Sequence, residues 1–111
     1  MLILKNDLNL LTRLQQWYLS MCNGDWEHTY GVSITNIDNP GWALTVELAD
    51  TYLYGVEFQI VEIQREEDDD WFFCRVKDGE FHGRGGPQNL NEMLAIFLNW
   101  AESNRHLESD G

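Results

Sequence analysis

The chain has 111 residues, 43% hydrophobic and 13% aromatic, and nineteen acidic against seven basic side chains give a net charge of −12. That length and composition predict one domain over residues 1–111, able to bury roughly 65% of its unfolded surface without metal or disulfide staples, and they exclude a disordered chain. The charge argues against a nucleic-acid binder and against docking on an anionic membrane, while it permits a basic protein partner.

No run approaches the roughly 20 apolar residues that cross a membrane. Residues 1–7 lack a basic segment ahead of an apolar one, so no secretory signal is expected and the expected location is cytoplasmic. Residues 7–22 then read as an amphipathic helix. Leu10, Leu14, Trp17, Tyr18 and Met21 recur at helical spacing, with Asn9, Thr12, Arg13, Gln16 and Ser20 opposite. Asn6 or Asp7 can cap its start, and Asn23-Gly24 offers the left-handed residue that ends such helices.

Residues 30–38 read as a strand. Asn39-Pro40-Gly41 has the order of a type II turn. In residues 42–48, Trp42, Leu44, Val46 and Leu48 alternate cleanly with Ala43, Thr45 and Glu47, so this strand should pair antiparallel with its predecessor. Residues 49–55 read as a loop and 58–64 as a third strand. The acids Glu66, Glu67, Asp68, Asp69 and Asp70 repel one another and predict an exposed hairpin. Residues 71–77 form a fourth strand, Asp78-Gly79 a tight turn, and 80–82 a short return strand.

Gly83-Arg84-Gly85-Gly86-Pro87 should break the sheet. It is not a phosphate loop, because no Gly-Lys-Ser or Gly-Lys-Thr follows. Asn89 and Glu92 have capping-box spacing for a last helix reaching about Ser103. Leu90, Met93, Leu94, Phe97, Leu98 and Ala101 form its buried stripe, and residues 104–111 form a polar, frayed tail. The expected fold is α+β: an antiparallel four- to five-stranded meander sheet flanked by an N-terminal and a C-terminal helix.

The chemistry-bearing stretch runs from Cys22 to Gly31. Asp25, Glu27 and His28 lie close in sequence, which raises a metal site or a small enzyme or ligand-binding site. A metal needs three or four convergent ligands, and His82 and His106 have no ligand-like spacing. The spacing of the same stretch favours a capped turn with Trp26 and Tyr30 in the core. No nucleophile–base pair is legible for Cys22 or Cys74, which read as free, buried small hydrophobes. No catalytic residue, metal or cofactor is predicted.

Trp17-Tyr18-Leu19 leads into Cys22-Asn23-Gly24-Asp25-Trp26-Glu27-His28. Tyr30-Gly31-Val32, Asp38-Asn39-Pro40-Gly41-Trp42 and Gly85-Gly86-Pro87 follow in order. These strings resemble the immunity protein 53 family of bacterial polymorphic-toxin systems across nearly the whole chain; the acid run 66–70 has no counterpart among them. The resemblance implies a small cytosolic protein that binds and neutralises a cognate toxin, and carries over no catalytic residues. Charge adds that such a toxin domain is basic, as a nuclease is. The expected contact residues are Asp25, Trp26, Glu27 and His28 in the central loop, with Asp68, Asp69, Asp70 and Trp71 at the acidic hairpin. If the two loops share a face, they form one negative patch around Trp26 or Trp71. The rivals are an enzyme or ligand binder built on Asp25, Glu27 and His28, and a subunit whose partner is another copy of itself.

Overall fold

Alternating side chains in five segments pair into one antiparallel sheet in the computed structural model, which describes residues 9–108. The strands are β1 (Val32–Ile37), β2 (Gly41–Glu47), β3 (Val61–Gln64), β4 (Trp71–Lys77) and β5 (Glu80–Gly85). Helix α1 (Leu10–Met21) precedes them, the single turn α2 (Trp26–Thr29) leads into β1, and α3 (Leu90–Ser103) follows β5. The α+β class, the antiparallel sheet and the two flanking helices are as the periodicity predicts.

The strand order is β1-β2-β5-β4-β3. The expected meander therefore holds within β1-β2 and within β3-β4-β5, but the chain breaks it between β2 and β3. β2 has Leu44 and Val46 fully buried and takes a partner on both sides, and β5 returns to supply the second one. β5 is accordingly a central strand of six residues, not a stub over 80–82. Its glycines do not break the sheet; they make room. A Cβ on Gly83 would lie 3.0 Å from Met93 Sδ of α3, and one on Gly85 would lie 3.0 Å from Phe72 Cβ.

The core lies between the sheet and the two long helices. Phe72, Cys74, Phe81, Leu44 and Val46 meet Leu14, Trp17 and Met21 of α1 and Met93, Leu94, Phe97, Leu98 and Ala101 of α3. Trp17 stands at the centre, edge-on to Trp26 at 6.1 Å and to Phe97 at 5.0 Å. Its indole N–H donates to Tyr52 Oη at 3.0 Å, and that hydroxyl donates to the Ala101 carbonyl at 2.9 Å. Both cysteines are free, and burial pushes the Cys74 thiol up to about 12.

Several boundaries differ from the sequence expectation. Asn9 caps α1, its Oδ1 accepting the Thr12 N–H at 2.7 Å; the caps expected at Asn6 or Asp7 lie outside the described residues. Cys22 ends α1 in an extended conformation, and the positive φ of Gly24 (94°) comes two residues later, turning the chain into α2. Gly41 does not take the positive φ of a type II turn. It enters β2 extended after a cis Asn39-Pro40 bond, where a Cβ would run into the Gly85 carbonyl oxygen. Phe58 lies outside the shorter β3 and packs edge-on against Phe81 and Trp100. Within the expected frayed tail, Arg105–Leu107 form a 3-10 turn, with the Arg105 guanidinium 5.0 Å over the Tyr52 ring and Nη2 3.2 Å from Ser20 Oγ; residues 109–111 lie outside the described residues. No described helix is long and apolar enough to cross a membrane.

Candidate functional site

Like charges in a row stay in water, and the β3–β4 connection keeps four of its five acids there: Glu66, Glu67, Asp68 and Asp69 are exposed. The turn is closed by Arg65 N–H to the Asp70 carbonyl and Asp70 N–H to the Glu67 carbonyl, both at 3.0 Å. Asp70 turns inward. Its Oδ1 accepts from Arg65 Nη1 at 2.8 Å and from Asn89 Nδ2 at 2.9 Å.

Asn89 is the joint between this hairpin and α3, and it is only 2% exposed. Its Nδ2 also donates to Glu92 Oε1 at 2.8 Å, and its Oδ1 accepts the Trp71 N–H at 3.3 Å. The expected capping box therefore does not form: Asn89 and Glu92 bond side chain to side chain, and the Asn89 side chain makes no cap bond to α3. Arg65 completes the network with Nη2 to Glu92 Oε2 at 2.6 Å. Asn89 and Arg65 hold the Asp70 carboxyl below its usual value, Arg65 and Asn89 do the same to Glu92, and Glu92 and Asp70 raise the pKa of Arg65 in turn.

Both carboxyls therefore titrate below their unfolded values near 4. Their stabilisation is present at neutral pH and is lost as pH falls through about 4 and below. Both acids are more than a third exposed, so solvent screens the pairs and the effect is small. Arg65→Met is expected to melt slightly below the parent at pH 7 and to converge with it as the pH falls below the ordinary carboxylate range. Parallel melting curves over that range would show that the pairs add nothing.

Two depressions flank the hairpin. One of about 320 Å³ lies towards α3, lined by Arg65, Glu67, Asp69, Asp70, Gln88, Asn89 and Glu92. The other, about 300 Å³, lies towards the β1–β2 turn and is lined by Asn39, Pro40, Gln64, Asp68, Asp69 and Trp71. Asp69 borders both, and half-buried Trp71 gives the second an aromatic wall.

The central loop is elsewhere. Trp26 Nε1 donates to the Ala49 carbonyl at 3.0 Å, just beyond the end of β2, whereas the hairpin lies by the Asn39-Pro40 turn that opens β2. Seven residues of β2 separate the two ends by about 20 Å. The loops do not form one negative patch. Trp26 is 2% exposed and belongs to the core, so it presents no surface anchor. Glu27 is occupied by its own turn: its carboxylate accepts the N–H groups of Asn23 at 2.8 Å and Gly24 at 2.7 Å. Backbone N–H groups of Glu27, Asn23 and Gly24 hold that carboxyl below its usual value. Asp25 and His28 are exposed. Among the described residues, no three His, Cys, Asp or Glu side chains group to hold a metal ion.

What the hairpin end offers chemically is a fixed set of solvated carboxylates beside an aromatic wall, a surface matched to basic groups. Asn89, Arg65 and Glu92 are the supporting residues that sequence reading misses. The only local signal was the Asn89–Glu92 spacing.

No curated protein and no solved structure matches the chain. A family model described as immunity protein 53 matches residues 11–102, from the first turn of α1 to the last turn of α3. That span covers most of the chain and includes both loops, and it implies an immunity protein that binds a cognate toxin. The chain belongs to the immunity protein 53 family.

Proposed function

We propose that this immunity protein neutralises a bacterial polymorphic toxin in the cytoplasm by direct binding without catalysis, and that the toxin domain is basic, as a nuclease is. The contact is the acidic hairpin end, with Glu66, Glu67, Asp68 and Asp69 facing the toxin and Trp71 as the aromatic anchor. The observation that carries this reading is the fastening of the hairpin through Asp70 to Arg65 and Asn89. A hairpin already held in place loses little freedom on binding. Its exposed acids add to a field of net charge −12 that draws a basic partner in.

Charges at the edge of such a contact act mainly on the association rate. Against the toxin domain encoded beside the immunity gene, Asp68→Lys with Asp69→Lys is expected to slow association about tenfold at low salt, and less at high salt as screening sets in. Asp25→Ala, at the far end of the sheet, is expected to leave both rates unchanged. Stopped-flow binding at two ionic strengths reads this directly. Unaltered association in the double variant would remove the hairpin from the contact.

A further inference from the structure

Each strand directs alternate side chains away from α1 and α3. Across the register these form rows: Thr45 beside His82 and Arg75, and Ala43 beside Arg84, Phe73 and Glu62. Every side chain in these rows is partly or fully exposed, so among the described residues no helix covers this face of the sheet.

The described cations divide sharply between this face and the rest. Arg13 pairs with Glu102, Arg65 with Asp70 and Glu92, and Arg105 with Glu108. Arg75, Lys77 and Arg84 pair with no carboxylate among the described residues, in a chain with nineteen acids. All three lie on the open face of the adjacent strands β4 and β5. Arg84 stands opposite Phe73 in the register, and the Arg75 guanidinium lies 6.0 Å over the same ring. Of the acids on this face, Glu80 stands opposite Lys77 and lies 3.1 Å from His82, Glu47 stands beyond it on β2, and Glu62 stands opposite Phe73; none is within ion-pair distance of Arg75 or Arg84.

Opposite charges across strands stabilise a sheet, and neighbouring like charges do the reverse. A face of small residues (Ser33, Thr35, Ala43 and Thr45), an aromatic ring and unpaired arginines has the composition of a recognition surface. We propose that the open face docks a carboxylate-bearing segment of a protein partner, with Arg75 and Arg84 holding carboxylates beside Phe73 and the small residues of β1 and β2 forming the floor. It is a second surface, opposite in sign to the acidic hairpin, and goes beyond the reading given for that end. A nucleic acid is the less suited occupant, because its many phosphates would all meet the field of net charge −12, whereas a short peptide brings few charges.

The test is a nuclear magnetic resonance titration of the nitrogen-15-labelled full chain with three probes. These are a decapeptide alternating glutamate and serine, the same peptide with lysine for glutamate, and a ten-nucleotide oligothymidylate. The glutamate peptide is expected to shift the amides of Phe73, Arg75, His82 and Arg84. Arg75→Gln with Arg84→Gln should weaken that binding at least tenfold while the melting temperature stays unchanged. The lysine peptide should instead shift Glu66, Glu67, Asp68 and Asp69, so a failure there counts against the hairpin reading alone. The proposal is overturned if the glutamate peptide leaves the open face unshifted, if the double variant binds it like the parent, or if the oligonucleotide binds this face more tightly.

Discussion

Trp17→Ala is expected to lower stability by about 3–5 kcal/mol and the melting temperature by roughly 12–20 °C. Trp17 is 2% exposed and touches both helix layers. Its removal leaves Trp26 and Phe97 without their shared edge-on partner and the Tyr52 hydroxyl without its indole donor. Against a total folding free energy of about 5–15 kcal/mol, that loss leaves a marginal protein. Trp17→Phe separates the two contributions. It keeps a benzene ring and removes the pyrrole portion of the indole together with its N–H, so a smaller loss of about 1–2 kcal/mol is expected if the ring packing carries most of the effect. Thermal denaturation of both variants decides this, and equal losses would place the weight on the Tyr52 bond instead.

Gly86→Val is the second large effect, and it links the fold to the proposed contact surface. A Cβ at Gly86 would collide with the Asp69 carbonyl oxygen and lie 2.8 Å from Asn89 Oδ1. The first obstacle is backbone, which cannot rotate aside, so the hairpin itself must move. Overpacking of this kind costs about 1–3 kcal/mol or more. The displaced acids should also lose toxin affinity, measured per folded molecule. Gly31→Ala is the matched control. Nothing lies within 4 Å of a Cβ there, so stability and binding should hold. A Gly86→Val protein with parental melting and parental affinity would show that the hairpin tolerates displacement.

The elements legible in the sequence are those whose evidence is local. The stripe of α3 and the alternation of β2 depend on side chains a few residues apart, and both stand as the periodicity predicts. Asp78 and Gly79 both take positive φ, 55° and 75°, as a two-residue hairpin turn requires. Only the first half of β5, over 80–82, was legible, because glycine weakens a strand in isolation and Gly83 and Gly85 gain their meaning only from Met93 and Phe72 pressing on them. The acidic hairpin was visible as a run of charge, but its fastening was not. Asp70 and Asn89 are nineteen residues apart, and only the sheet register brings them within 2.9 Å. Trp26 and Trp71 both stand beside acids in the sequence; tertiary packing alone puts the first inside and leaves the second half open.

Asn89 has a consequence for the order in which the ribosome delivers this protein. The acidic hairpin is complete as a stretch of chain once β4 has emerged, but its anchor lies beyond β5, at the head of the last helix. Until that helix leaves the exit tunnel and docks, Asp70 lacks its amide partner and the hairpin lacks its fixed orientation. A nascent chain stalled before residue 89 thus carries every exposed acid of the hairpin without the bond from Asn89 that fixes them. The fixed form of that surface arrives late in synthesis, with the segment that also closes the core.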